Sequence, residues 1–280
     1  MSSEKIALLG AIAGLTIFLG LPIGRLRNPA PRTKAFLNAV AIGILVFLLW
    51  DVLSKGIAPV EAALTAAAVT GDGAWAPFIW LATILTVGIS VGLMSLAYYD
   101  RWMSQRAASP GPGAVAATTL RTRKPTFATP SERLALLIAV GIGLHNFSEG
   151  LAIGQSAARG EISLALLLIV GFGLHNATEG FGIVAPLAGD ERLPSWGLLG
   201  VLGVIGGAPT LFGTLVGQSV VNDYLFVAFL SLAAGSILYV VVQLLRVAFK
   251  LGHKEILMWG LLAGLFAGIG TDMILVAAGT

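Results

Sequence analysis

Residues 141–154 read GIGLHNFSEGLAIG, and residues 171–184 read GFGLHNATEGFGIV. The two stretches agree at eight of fourteen positions, and the agreements include every His, Asn and Glu. The same three polar side chains thus recur inside two of the most apolar segments of the chain. A charge at mid-membrane costs about 2.5 to 3.5 kcal/mol on insertion scales and marks a functional site by default. On a helix, His at i and Glu at i+4 share one face a turn apart, and the Asn at i+1 stands three residues before that Glu. The segments are joined by a short connection around Ala158 to Glu161. They are therefore expected to run antiparallel and adjacent, with their polar faces opposed near the midplane.

The surroundings of the repeat set the fold class. The chain has 280 residues, is 56% hydrophobic and 11% charged, and has a mean hydropathy of +0.90. Soluble domains carry about 25% charged residues, so this is a membrane protein. Apolar runs of about 20 residues, enough to cross about 30 Å of hydrocarbon, occur eight times. They lie near 6–24, 35–54, 75–99, 132–157, 162–188, 195–219, 224–248 and 256–278. The expectation is an all-α polytopic membrane protein with eight transmembrane helices in one domain over 1–280. The first run is read as a span and not as a signal peptide, because its basic cluster (Arg25, Arg27, Arg32, Lys34) follows the apolar stretch.

Alternating the loops places fourteen Lys and Arg on one side, leaving Lys5, Lys55 and Arg159 on the other. The positive-inside rule then puts both termini outside the cytoplasm in a cell membrane. It makes 100–131, rich in Pro, Gly, Ser, Thr and Ala, a flexible cytoplasmic loop. The basic residues serve orientation in the bilayer, not nucleic-acid binding.

Four acidic residues remain at depth, Asp51, Glu149, Glu179 and Asp272, with His145 and His175 beside them. Without cysteine, soft-metal chemistry has to rest on imidazole, carboxylate and amide. His145, Asn146, Glu149, His175, Asn176 and Glu179 make such a set, suited to Zn and, through the oxygens, to Mn or Cd. A bound ion would also neutralise the two carboxylates. Gly141, Gly143, Gly150, Gly171, Gly173 and Gly180 allow the helices to approach closely. Ser148 and Thr178 are expected to donate to the neighbouring carboxylates. Purely structural hydrogen bonding between two polar helices is the plainer alternative, disfavoured by the repetition of the whole set.

With eight spans, outside termini, a long loop between spans three and four, and paired HNFSEG and HNATEG motifs in spans four and five, the chain resembles the ZIP (Zrt/Irt-like) divalent metal transporters over nearly its whole length. The resemblance implies a two-bundle architecture, with spans one, four, five and six carrying the metal and spans two, three, seven and eight forming the scaffold. It implies a homodimer taking up zinc, or alternatively Cd, Fe, Mn or Co, into the cytosol as a transported substrate, with no organic cofactor. It carries the metal site onto the six motif residues and makes Asp51, Gln243 and Asp272 candidate pathway residues. Three features depart from the family pattern. Ala208 precedes Pro209 where some relatives have Glu, which points to one ion instead of two; Gln243 stands where an acid or His is common; and the histidine-rich loop is missing.

No Walker motif is present, so transport is expected to be secondary and not driven by ATP hydrolysis in this chain. The competing function is a membrane-embedded metal-dependent hydrolase or oxidase. Only two deep histidines and no HExxH motif speak against it, and the chain is expected not to be an enzyme.

Overall fold

In the computed structural model, residues 3–25, 31–70, 75–108, 129–158, 173, 176–177, 179–187, 192–219 and 222–277 are described, and every regular element among them is helical. The long helices are α1 (Ser3–Leu15), α2 (Pro31–Thr70), α3 (Trp75–Ala108), α4 (Pro130–Ala158), α5 (Trp196–Gly217), α6 (Asp223–Leu251) and α7 (Lys254–Ala277). Counting α1 with the 3-10 turns that extend it to Arg25, seven segments among the described residues are long and apolar enough to cross a membrane. The protein is an all-α polytopic chain. The expected fifth span, 162–188, falls mostly outside the described residues; within it, 179–184 is helical and ends in the 3-10 turn Ala185–Leu187.

Local chemistry fixes several helix ends. At α4, Glu132 N donates to Thr129 Oγ1 at 3.1 Å and Thr129 N donates to Glu132 Oε2 at 2.9 Å. This is a reciprocal capping box, with Pro130 at the first helical position, where its missing N–H is not needed. Ser195 caps α5 by accepting from Leu198 N, and Asn222 caps α6 by accepting from Tyr224 N and Leu225 N. Gly252 closes α6 at φ 75°, a left-handed conformation that glycine adopts without penalty.

Two helices outrun their expected spans. α2 has 40 residues and continues through Pro59 to Thr70. At about 1.5 Å per residue it is about 60 Å long, twice the hydrocarbon thickness, so part of it stands outside. Its far end, EAALTAAAVT, is rich in strong helix formers. α3 runs on to Ala108, so the first residues of the expected loop 100–131 are helical, tied back by Asp100 through Tyr239 of α6. The rest of that loop, 109–128, lies outside the described residues.

Packing divides the helices. α4 lies along α5, and α5 along α1; α2 packs on α7 and α6, and α3 on α6; the two groups meet where α4 touches α6. The α4–α5 seam is backbone on backbone. A Cβ on Gly150 would overlap the Thr210 carbonyl, and one on Gly213 would overlap that of Phe147. Between bilayer-spanning helices, such close approach supplies the dispersion contact that hydrophobicity cannot. The α4–α6 contact is built from side chains instead, with Phe147 and Phe229 ring centroids 4.2 Å apart. Ile138, Ile142, Leu199, Leu202 and Ile183 fill the centre. Trp50, Trp80, Trp259, Phe212 and Phe266 lie exposed on the outside, as lipid-facing side chains do.

Candidate metal-binding site

The first motif lies within α4 and the second enters the helical segment ending at Val184. Five of the six candidate ligands are described, and all five are buried: His145 at 1% exposure, Glu149 at 5%, and Asn146, Asn176 and Glu179 at 0%. His145 Nε2 lies 3.1 Å from Glu149 Oε1 on its own helix and 3.9 Å from Glu179 Oε1 on the second segment. The expected convergence of the two motif faces is therefore present for these three groups. Glu149 and Glu179 both approach the same imidazole nitrogen. His175, the remaining candidate, lies outside the described residues, as do Thr178 and Gly171.

The two asparagines are held in matching ways. Asn146 Nδ2 donates to the Gly206 carbonyl of α5 at 3.0 Å, and Asn176 Nδ2 donates to the Ala13 carbonyl of α1 at 2.9 Å. Each amide is thus anchored to a flanking helix by its nitrogen. Each Oδ1 is buried without a hydrogen-bond partner, as is Glu149 Oε2. Buried acceptors left this way are costly, by about 1 to 3 kcal/mol each, and such groups call for an explanation.

The Ala13 carbonyl sits where its helix departs from regularity. Ala13 comes just before α1 tightens into the 3-10 turns Thr16–Leu19 and Leu21–Arg25, and its oxygen also accepts from Thr16 Oγ1 at 2.6 Å. Gly20 makes the adjoining contact possible, since a Cβ there would overlap the backbone of Ala177 and Phe181. Gly206 lies three residues before Pro209, inside α5. Pro209 has no N–H to give the carbonyl four residues earlier, which is that of Ile205, one residue before Gly206.

Tetrahedral ligands about 2.1 Å from a zinc ion are about 3.4 Å from one another, and the 3.1 and 3.9 Å separations bracket that edge. Among the described residues, no three His, Asp or Glu side chains already form a metal-holding group. The His145 imidazole meets the carboxylates directly, and small shifts would have to open space between them. The donor set is one described imidazole, two carboxylates and two amide oxygens. That mixture accepts a borderline divalent cation and does not demand a soft one.

Ser148 does not bond to Glu149, contrary to the sequence expectation: its Oγ is buried without a partner. Successive helix residues point about 100° apart, so i and i+1 do not face each other. Of the pathway candidates, Asp51 is gripped by Lys55 at 2.7 Å, one turn further along α2. Asp272 is partly buried on α7. Gln243 donates from Nε2 to Tyr239 Oη at 2.8 Å and accepts from Arg246. No hydrogen bond or ion pair among the described residues joins any of these three to the His145 group.

Sequence reading missed Thr210. It is fully buried, its Oγ1 has no hydrogen-bond partner, its side chain adjoins Gly14 of α1 and its carbonyl adjoins Gly150 of α4. The available signal was a hydroxyl directly after Pro209 in a Gly-rich apolar helix. In comparisons with known proteins, the sequence matches no family model and no curated protein.

Proposed function

We propose that this chain is a secondary transporter carrying a divalent transition-metal ion, zinc foremost, across the cell membrane into the cytosol. The carrying observation is the buried meeting of His145, Glu149 and Glu179, with Asn146 and Asn176 turned so that their nitrogens are occupied and their oxygens are not. A divalent cation would cancel the charges of both buried carboxylates at once. His175 completes the set as a fourth strong ligand. Ala208, in place of a further carboxylate, favours one ion over two.

The division of packing supports a carrier mechanism. The motif residues lie on α4 and the second motif segment and are anchored to α5 and α1, while α2, α3, α6 and α7 form the other group. Binding energy from the ion is delivered to the first group alone. The resemblance to ZIP transporters extends the reading to a homodimer, with Cd, Fe, Mn and Co as further candidate substrates.

The test is uptake of radiolabelled zinc into proteoliposomes by the wild type and by His175→Ala and Glu179→Ala variants that insert and fold. Saturable uptake, lost in both, is expected. Unchanged transport in both variants sinks the proposal. Repeating the assay with Cd, Fe, Mn and Co ranks the substrates.

A further inference from the structure

A second polar site lies away from the motif residues, at the end of α3, the start of α4 and the end of α6. A cavity of about 250 Å³ there is lined by Arg133, Arg246 and Lys250, with Asp100 as its one acidic group and Tyr239 and Gln243 between. A hydrogen-bond chain crosses it: Arg246 Nη1 donates to Gln243 Oε1 at 3.4 Å, Gln243 Nε2 to Tyr239 Oη at 2.8 Å, and Tyr239 Oη to Asp100 Oδ2 at 2.9 Å. That chain engages the acid and holds Arg246. Among the described residues, Arg133 and Lys250 meet no carboxylate within ion-pair distance. Three cations against one anion leave the lining positive, which repels a divalent metal ion and attracts an anion.

The cavity's level in the bilayer indicates which anion. Next to Asp100 on α3, Tyr99 and Trp102 stack with centroids 5.8 Å apart, and Tyr98 is exposed beside them. Trp and Tyr on an outer surface gather at the headgroup level of a membrane. Arg and Lys there lay their stems along the apolar wall and lift their charges into the polar layer. At about 250 Å³, the cavity is below the roughly 300 to 1,000 Å³ of sites for drug-sized molecules, and suits a compact charged group.

We infer that this cavity binds a phosphate group, with Arg133, Arg246 and Lys250 as its ligands and Tyr239 and Gln243 holding Arg246 in place. Phosphate is recognised by Arg forks and a Lys point charge together. The group is supplied by an anionic phospholipid at the membrane surface or by a soluble phosphate.

The test uses the full chain purified in a neutral detergent. One arm offers phosphatidylglycerol and phosphatidylcholine in competition and counts retained lipid by native mass spectrometry. The other follows thermal protection by inorganic phosphate and glycerol phosphate. Preference for phosphatidylglycerol, weakened about fivefold by R133Q or by K250Q but unaltered by R101Q, supports the site and assigns the lipid source. Arg101 is exposed at the same level but does not line the cavity, so it controls for charge in general. Protection by phosphate that R133Q and K250Q remove, without a lipid preference, supports the site and assigns the soluble source. If those variants do not survive extraction, the wild-type arms decide alone. Absence of both effects, or equal weakening by R101Q, overturns the inference.

Discussion

Asn146 and Asn176 are bound by the same atom to equivalent groups on different helices: each gives Nδ2 to a backbone carbonyl, Gly206 of α5 in one case and Ala13 of α1 in the other. The motif repeat is therefore a repeat of anchoring as well as of ligand type. Substituting either asparagine by Ala removes one interhelical hydrogen bond, worth about 0.6 and at most about 1.7 kcal/mol in a membrane. If the amide oxygens serve the ion, zinc uptake falls further, by about tenfold or more. Thermal unfolding and uptake measured on the same preparations separate the two effects; losses confined to stability would make the asparagines packing residues only.

Glu149 and Glu179 are expected to behave differently from Asp51. Glu149→Gln and Glu179→Gln each replace a buried carboxyl by an amide of the same shape that carries no charge. They should be expressed and folded, with detergent stability at or above the wild type, yet take up little zinc. A stable, fully active Glu179→Gln variant would contradict this.

Asp51 pairs with Lys55 in a partly exposed position, where such a pair contributes about 0 to 1 kcal/mol. Asp51→Asn is expected to leave uptake unchanged and unfolding nearly so. A clear loss of uptake, with stability retained, would return Asp51 to the ion's route.

The α4–α5 seam offers a purely structural test. Gly150→Ala and Gly213→Ala push a methyl into a backbone carbonyl and should destabilise by about 1 to 3 kcal/mol, as overpacking does. Gly200→Ala, on α5 with nothing within 4 Å of the added methyl, should be neutral. Equal melting temperatures for the three variants would show that the seam relaxes.

The sequence made the membrane class legible because hydrocarbon thickness imposes a length on every crossing helix, and it made the three-residue convergence legible because i, i+4 spacing fixes a face. What lay hidden depends on neighbours distant in the chain. Nothing within HNFSEG or HNATEG indicates that Gly206 and Ala13 will receive the amides, sixty and 163 residues away. Thr210 was hidden likewise, since its place beside Gly150 follows from the α4–α5 approach. The run of α2 through Pro59 reflects a proline tolerated within a helix whose flanks are strong formers. The Asp51–Lys55 pair, by contrast, is an i, i+4 match visible in WDVLSK, and the depth assigned to Asp51 obscured it.

The two faces of α4 differ in what they let slide. Along α5, glycine meets carbonyl, and no side-chain torsion is available to take up a displacement; along α6, Phe147 and Phe229 meet through rings that can turn. α4 is thus keyed to one neighbour and bears on the other, so that a relative movement of the two helix groups would shear along the aromatic seam and carry His145 and Glu149 with it as a rigid pair.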